Sequence, residues 1–295
     1  MKTKTYIPAL VAVTTLTVSS IHAATLWTGA ADSDFGTNSN WDNSAPGQVD
    51  VDQLATINNG DAVNVTTDYT APNTYRLAVQ GNSTLNVSAA MTVNRLTTIA
   101  SGSTVNLLDG SAFKMPKLSG GNNGFWSING TLEISGGTHA FNERLQGGSG
   151  TIRVIGSDSE THFNQITTAK AYEFVFDADG VSSLIGGGAG IAGSGAGPYW
   201  SALGSSTLDV DGSAFVLSGA PQTFTLMETT TTALSNFNTA NVNITGLGVE
   251  GLNYTFQQFQ DGGKNYIELT VLPEPSSVAL LGLGLSSMLL RRRRV

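Results

Sequence analysis

Two acidic turns are the first residues of this chain whose types and spacing could support chemistry. Asp177-Ala178-Asp179-Gly180 and Asp209-Val210-Asp211-Gly212 each place two carboxylates before a glycine. Calcium binds such oxygens, but neither turn continues with the further oxygen ligands and the distal glutamate of the known calcium-binding loop. Because Asp-Gly is equally an ordinary turn, we expect no metal ion at either place, and structural calcium is the alternative.

Histidine and cysteine chemistry is sparse. His139 and His162 lie 23 residues apart and could be neighbours in a repeat, although two unrelated surface histidines are the simpler interpretation. The chain has no cysteine, which excludes disulfides and thiolate metal sites. It also has no Gly-x-Ser-x-Gly elbow, zinc-ligand spacing or phosphate loop. The sequence therefore predicts no catalytic residue, no metal and no cofactor.

The last 23 residues have an order that a folded domain does not need. An apolar run from Val278 to Leu290 separates two polar groups of residues. As a helix, residues 276–290 would reach roughly 22 Å, which is short for a membrane span unless arginine side chains extend to the headgroups. Arginines also keep their end on the cytoplasmic side, so the body would lie outside. The polar groups are Pro273, Glu274 and Pro275 before the run and Arg291, Arg292, Arg293 and Arg294 after it.

This arrangement of Pro-Glu-Pro, apolar helix and arginine cluster resembles the PEP-CTERM sorting signal of exported bacterial proteins. The resemblance implies that an exosortase, a membrane-embedded processing enzyme, recognises residues 273–295. It further implies transient anchoring in the inner membrane, followed by delivery to the cell surface or the extracellular polysaccharide matrix. The alternative is an unstructured end with a chance apolar run.

The N-terminus predicts export by a second signal. Lys2 and Lys4 precede an apolar segment from Ile7 to Val18, and Ile21-His22-Ala23 offers small or aliphatic residues to a signal peptidase. We expect residues 1–23 to be a signal peptide that is cleaved after Ala23. An uncleaved N-terminal anchor is the alternative.

Composition limits what the remaining body can do. Glycine supplies 35 of the 295 residues and only 12% are charged, which disfavours helices and favours strands joined by tight turns. Without the two N-terminal lysines and the four C-terminal arginines, 8 basic residues face 22 acidic ones. Such a body should not bind nucleic acid or anionic lipid.

A short segment of the form Thr-aliphatic-polar-aliphatic recurs through the body. From Val63 its first aliphatic position advances by 22, 20, 27 and 20 residues to Ile152, and then by 56 to Leu208. Alternating aliphatic and polar residues indicate half-buried strands. The copies are residues 84–87, 104–107, 131–134, 151–154 and 207–210, with a weaker copy at 63–65.

Repeats of this length predict an all-β fold of the β-solenoid class, similar to a parallel β-helix. Each repeat has room for two or three short strands, and equivalent strands would lie about 4.8 Å apart with their aliphatic side chains inside. The alternative is a β-sandwich, whose strands also alternate. We favour the solenoid because the copies share their polarity and their preceding turn.

We expect the solenoid to occupy residues 24–180 and to begin with an aromatic cap. Trp27-Thr28-Gly29 and Asn40-Trp41-Asp42 resemble the N-terminal cap of exported, autotransporter-like β-helix proteins, where large aromatics cover the apolar interior. Sugar stacking by Trp27 and Trp41 is the alternative.

Two further segments follow the predicted solenoid. Residues 181–200 are rich in glycine and predict a flexible loop. Residues 201–272 predict a C-terminal region of strands, either final coils or a small sandwich, with Asp261-Gly262-Gly263-Lys264 as the turn of a hairpin.

The sequence thus predicts an exported surface or matrix protein with a structural or adhesive role and no catalysis of its own. Its expected partners are an exosortase-type enzyme, an extracellular polysaccharide and, transiently, the inner membrane. One alternative is a polysaccharide lyase or hydrolase on a β-helix scaffold, with a basic residue among Lys114, Lys117, Arg144 and Arg153. The other is a passive carbohydrate-binding module.

Overall fold

The fold is all-β in the residues that the structure, a computed structural model, describes. These are residues 25–42, 54–71, 76–116, 125–155, 159–167, 172–177, 184–187, 199–201, 206–213, 220–229 and 238–272. They form 23 strands and two short 3₁₀ helices, Asn38–Asn40 and Thr239–Asn241, and none of them lies in an α-helix. The all-β prediction is confirmed.

The strands are short, and most of them have three to five residues. They are β1 (Thr25–Leu26), β2 (Leu54–Ile57), β3 (Ala62–Val65), β4 (Tyr69–Thr70), β5 (Arg76–Val79), β6 (Thr84–Val87), β7 (Ala90–Thr92), β8 (Arg95–Ile99), β9 (Thr104–Leu107), β10 (Ala112–Met115), β11 (Phe125–Ile128), β12 (Thr131–Ile134), β13 (Gly137–Gly148), β14 (Thr151–Val154), β15 (Ser159–Thr167), β16 (Glu173–Phe176), β17 (Leu184–Gly187), β18 (Tyr199–Ser201), β19 (Thr207–Asp211), β20 (Gln222–Thr229), β21 (Val242–Thr245), β22 (Tyr254–Asp261) and β23 (Lys264–Val271).

The Thr-aliphatic-polar-aliphatic copies form one parallel sheet of eight strands. Its order is β3, β6, β9, β12, β14, β16, β19 and β21, and every neighbouring pair is parallel. The copies pair residue for residue, so that Thr84, Thr104, Thr131 and Thr151 lie in one rank. The sequence pattern and the strand register therefore agree across these four strands.

Alternation along each strand of this sheet separates the core from solvent. The second and fourth residues of β6, β9, β12 and β14 are buried, and the first and third are half-buried. The buried ranks run through these four strands, with Leu85, Val105, Leu132 and Ile152 in one rank and Val87, Leu107, Ile134 and Val154 in the other. Removing these aliphatic groups from water is the main source of stability for such a sheet.

A fifteen-stranded sheet supplies the other strands of each repeat. In one repeat, β5 of this sheet precedes β6 of the eight-stranded sheet, and β7 of the fifteen-stranded sheet follows. The long strand β13 pairs with β10 through Ala140 and Phe141 and with β11 through residues 144–148. The same strand thus belongs to two successive repeats. This all-β arrangement of parallel strands is consistent with a β-helix-like fold.

One copy of the repeat is not recognisable from aliphatic residues. Strand β16 carries Phe174 and Phe176 where its neighbours carry aliphatic side chains, and Phe174 pairs with Ile152 on one side and Leu208 on the other. The long step of 56 residues in the sequence therefore contains an additional strand. Burial accepts an aromatic as readily as an aliphatic side chain, which is why the aliphatic pattern missed it.

The glycine-rich segment contributes strands as well. Within residues 181–200, where the sequence predicts a flexible loop, β17 pairs with β15 and β20, and β18 begins at Tyr199 and pairs with β15. Ladder hydrogen bonds come from the backbone, so glycines at 186 and 187 do not prevent them. The remaining residues of that segment, 181–183 and 188–198, lie outside the described part of the chain.

The N-terminal end holds the first aromatic cluster. Trp27, Phe35 and Trp41 are all buried, and Trp41 meets each of the other two rings edge to face with ring centroids 5.2 Å apart. Phe35 also contacts Tyr69 at 5.0 Å. The ring nitrogen of Trp27 donates to Asp61 at 3.1 Å, so the cluster is tied to the first repeat.

The C-terminal end changes from parallel to antiparallel pairing. Strand β20 is parallel to β17 but antiparallel to β23, and β23 forms an antiparallel hairpin with β22. The turn of this hairpin closes with Asp261 opposite Lys264, as the sequence predicts. The sandwich alternative does not fit the strands before β20, because a sandwich is built from antiparallel sheets and these strands are parallel.

Candidate functional site

The outward face of the eight-stranded sheet carries a ladder of side-chain amides. The side-chain nitrogen Nδ2 of Asn86 donates to the side-chain oxygen Oδ1 of Asn64 at 2.9 Å, and Nδ2 of Asn106 donates to Oδ1 of Asn86 at 2.8 Å. At the N-terminal end the amide of Asn64 donates to the hydroxyl of Ser33 at 2.9 Å. The three asparagines occupy the third position of successive repeats, so the register of the backbone sets the spacing of the amides.

Charged residues continue this outward rank in the following repeats. Glu133 and Arg153 pair across β12 and β14, with Nη1 of Arg153 3.6 Å from Oε2 of Glu133. Arg153 also donates to Oδ2 of Asp177 from Nε at 3.0 Å and from Nη2 at 2.5 Å. Further along, Asn243 donates to Oδ1 of Asp209 at 3.1 Å. Most of the outward polar groups in this rank therefore form hydrogen bonds or ion pairs with each other.

The ladder has one break, between Asn106 and Glu133. The side-chain oxygen of Asn106 is buried and accepts no hydrogen bond from any described residue. Its neighbour in register is Glu133, and an ionised carboxylate has no hydrogen to donate. Two hydrogen-bond acceptors, the side-chain oxygen of Asn106 and the carboxylate of Glu133, are therefore neighbours at the point where the amide ladder ends and the charged rank begins.

The acidic turns do not leave a free pair of carboxylates. Asp177 is bound by Arg153, and the other residues of its turn, 178–180, lie outside the described part of the chain. In the second turn, Asp209 accepts from Asn243. The backbone N–H of Ser213 donates to Asp211 at 2.9 Å, and this bond lowers the pKa of Asp211. Among the described residues no group of three or more potential metal ligands is present.

The two histidines lie on opposite faces of the same sheet. His139 pairs with Thr161, whereas His162 pairs with Ala140, one residue further along. Successive residues of a strand point to opposite faces, so the two imidazoles cannot share a metal ion. His139 is buried and His162 is partly exposed, with Nε2 2.7 Å from Oε1 of Glu160.

The ring of His139 forms hydrogen bonds with the backbone at a corner between strands. Its Nδ1 accepts from the N–H of Phe113 at 3.1 Å, and its Nε2 lies 2.7 Å from the carbonyl oxygen of Gly136. These two partners require a neutral ring with the proton on Nε2. Burial lowers the pKa of His139, against the opposing effect of the Gly136 carbonyl, so the neutral form is favoured.

The tryptophans whose side chains the structure describes, Trp27, Trp41 and Trp126, have no ring face open to a sugar. Trp27 and Trp41 are 1% and 4% exposed, and their indole nitrogens donate to Asp61 and to the carbonyl oxygen of Phe35. Trp126 is equally buried and stacks on Phe141 with ring centroids 5.0 Å apart. Sugar stacking needs an exposed ring, so none of these three residues can provide it in this structure.

The C-terminal hairpin positions the chain for its final segment. Strand β23 ends at the buried Val271, which pairs with Tyr254 of β22. The next residue, Leu272, donates its N–H to the carbonyl oxygen of Asn253 at 2.7 Å. The chain therefore leaves the sheet at a defined place, beside the turn that leads into β22.

Residues 271–294 match the PEP-CTERM protein-sorting motif. The prediction of a sorting signal is confirmed. The PEP-CTERM motif implies an exported protein that an exosortase recognises, that is transiently anchored and that is then processed. The match begins at the last residue of β23, so the motif follows the folded body without a linker. No curated protein and no solved structure matches the chain significantly.

The residues predicted for sorting and cleavage lie outside the described part of the chain. These residues are Ala23 at the N-terminus and Pro273, Glu274, Pro275, Arg291, Arg292, Arg293 and Arg294 at the C-terminus. Within the described residues, no helix is long and apolar enough to cross a membrane.

The amide ladder is the feature that sequence reasoning missed. Its signal was present, because asparagine recurs at the third position of three successive copies, at residues 64, 86 and 106. Identical amides in neighbouring parallel strands can bond to each other along the sheet. The recurrence of one polar residue type, and not polarity alone, was therefore the informative observation.

Proposed function

We propose that this chain is a structural or adhesive protein of the bacterial surface or extracellular polysaccharide matrix, released there by an exosortase-type enzyme, with no catalysis of its own. The observation that carries the proposal is the PEP-CTERM motif directly after the last strand of an all-β body. The motif accounts for export, and a body of short parallel strands suits a passive, rigid element.

The body in this proposal is one continuous β-solenoid. Support comes from the unbroken parallel register of the eight-stranded sheet, which runs from β3 to β21. Further support comes from the long strands β13 and β15, each of which pairs with strands of two successive repeats. Solenoids of this kind derive their stability from contacts between neighbouring repeats, which suits an elongated scaffold.

The hydrogen bonds and ion pairs that the polar groups form with each other and with the backbone support a role without catalysis. A lyase or hydrolase needs paired carboxylates or a base within reach of a substrate. Here His139 is buried behind its backbone partners, and Arg153, Glu133 and Asp177 form a mutual cluster. These groups are occupied in holding the sheet together, which leaves them poorly placed to exchange protons with a bound polymer.

A carbohydrate-binding role is the second candidate, and one observation favours it. The first position of the strands carries Thr84, Thr104 and Thr131 in one half-buried rank beside the asparagines. Hydroxyls repeated at the strand spacing of about 4.8 Å could contact a polymer at many points, and weak contacts along a length add up. This would be adhesion by a surface, with no pocket.

Sorting is tested by two variants in cells that carry the processing enzyme. We expect Glu274→Ala and deletion of residues 291–294 each to change the cell fraction in which the protein is found and the mass of its mature form. Glu160→Ala is the matched control, because Glu160 is an exposed glutamate outside the motif and away from the C-terminal end of the body. Unchanged fractionation and mass in both test variants would contradict the sorting proposal.

The role of the body is tested with the secreted protein and a panel of neutral and acidic polysaccharides. Release of oligosaccharides would show an enzyme and overturn the proposal. Retention on the polymer without cleavage would support adhesion, and replacing Thr84, Thr104 and Thr131 together by valine should abolish it. If the protein neither releases oligosaccharides nor is retained on any polymer, a purely structural role is favoured.

A further inference from the structure

The turn before β22 exposes two aliphatic side chains. Val249 is 59% exposed and Leu252 is 67% exposed, the two highest values among the large hydrophobic residues that the structure describes as exposed. The other two, Leu26 and Phe259, are each 36% exposed. Single exposed aliphatics are common on protein surfaces, but here two lie in the same turn of five residues, 249–253.

This turn has a defined shape. The N–H groups of Leu252 and Asn253 both donate to the carbonyl oxygen of Val249, at 3.2 and 2.8 Å. In return, the N–H of Val249 donates to the side-chain oxygen of Asn253 at 3.0 Å. The N–H of Gly251 donates to the carbonyl oxygen of Tyr254 at 2.7 Å. Val249 and Leu252 are therefore held outward by the backbone, while Leu247 just before them is buried in the core.

The same turn is hydrogen-bonded to the residue at the end of the folded body. Asn253 accepts the backbone hydrogen bond of Leu272, the last described residue before the sorting segment. Only residues 273–275 separate Leu272 from the segment 276–290 that would form the membrane helix. Four residue steps span at most about 14 Å even when fully extended. Anchoring of the apolar segment therefore brings this end of the body close to the bilayer.

We propose that Val249 and Leu252 insert into the interfacial region of the bilayer while the sorting segment is anchored. The proposal rests on the transient anchoring in the proposed function and adds an orientation, with the C-terminal end of the two sheets on the membrane. Two aliphatic side chains bind a membrane weakly, but the tether makes their contact intramolecular, so a weak interaction suffices. Glu250 between them stays at the level of the headgroups.

Charge predicts which lipid surface suits this contact. Outside the terminal lysines and arginines the chain has 8 basic and 22 acidic residues, and all of them except Glu274 lie in the body, so an anionic surface repels it. The contact should therefore be stronger on zwitterionic than on anionic vesicles, and on anionic vesicles it should strengthen as salt screens the repulsion. This dependence is opposite to that of a basic membrane-binding patch.

The test uses the full chain in phosphatidylcholine vesicles with a single fluorescent label. The natural chain has no cysteine, so Leu252→Cys provides one labelling site. Ser101→Cys, in an exposed turn between β8 and β9, is the matched control site. Flotation measures anchoring, iodide quenching measures exposure of the label to water, and a nitroxide lipid measures contact with the bilayer.

We expect the labelled chain to float with the vesicles in both variants. The label at residue 252 should be severalfold less accessible to iodide than the label at residue 101, and only the former should be quenched by the nitroxide lipid. Adding Val249→Ser should raise iodide access at residue 252. Flotation with equal iodide access at both sites would overturn the membrane contact and leave anchoring intact. Failure to float would overturn the anchoring, and the contact with it.

Discussion

Asn86 lies between two other asparagines and bonds to both, donating to Asn64 at 2.9 Å and accepting from Asn106 at 2.8 Å. The three amides belong to the outward rank of the eight-stranded sheet, where backbone register alone aligns them. They hold successive repeats together from outside, as the aliphatic ranks do from inside.

Asn86→Ala should lower the free energy of unfolding by about 1–3 kcal/mol. The substitution removes two hydrogen bonds, each worth about 0.5–1.5 kcal/mol, and leaves the amide of Asn106 without its acceptor. Thr84→Ala is the control, because Thr84 precedes Asn86 on the same face of β6 and no described residue bonds to its hydroxyl. Urea unfolding followed by circular dichroism measures both. Equal losses in the two variants would contradict the role of the amide ladder.

Stability should fall as the pH is lowered through the ordinary histidine range, because of His139. Burial lowers the pKa of His139 from its usual value of 6.5, so below about pH 6.5 the unfolded state binds a proton that the folded state does not. The contribution of this residue is complete above that pH and is progressively lost below it, down to the lowered pKa of the folded state. Thermal unfolding at about pH 7.5 and about pH 5.5 measures the loss.

Two asparagine variants assign this pH dependence. His139→Asn should unfold at a lower temperature at either pH, since it disturbs the bonds to Phe113 and Gly136, but the difference between the two pH values should shrink. His162→Asn, on the opposite face of the sheet, should retain the full difference. The interpretation is wrong if His162→Asn removes the pH dependence and His139→Asn preserves it.

Gly148→Ala should be severely destabilising, and Gly110→Ala much less so. Both glycines have positive φ, 97° and 76°, so an L-residue costs about 1–2 kcal/mol at either position. At Gly148 an added Cβ would lie 1.8 Å from the carbonyl oxygen of Ile128, whereas at Gly110 nothing lies within 4 Å. Soluble yield and urea midpoint of the two variants report the difference. Similar values would show that the corner at Gly148 can relax.

Phe141→Ala should cost about 3–5 kcal/mol of the free energy of unfolding, as expected for a fully buried aromatic. Its ring lies within 5.4 Å of the rings of Phe113, Trp126 and Phe163, between centroids, so its removal opens a cavity at the centre of this stack. Phe141→Leu keeps most of the volume and should lose less. Chemical denaturation checks the order, and a larger loss for leucine would contradict it.

The parts of the fold that could be predicted depend on local pattern. Alternation and turn residues identified β6, β9, β12 and β14 and the final hairpin, because each is written in a few consecutive residues. The repeat pattern did not predict strand β16, because Phe174 and Phe176 stand where the pattern expects aliphatic residues. The two histidines could not be placed, because a shift of one residue in register exchanges the faces of a strand and the length of the preceding corner sets that register.

By itself the sequence determined the sorting segment, the repeat and the acidic, cysteine-free character of the body. These properties follow from residue types and their order, which is what a membrane, a processing enzyme or a strand periodicity responds to. Only the tertiary structure decided which polar groups bond to each other, that His139 is buried, and that Val249 and Leu252 lie beside the exit of the chain. Such relationships join residues far apart in sequence. The free energy that selects them comes from packing all the repeats against one another.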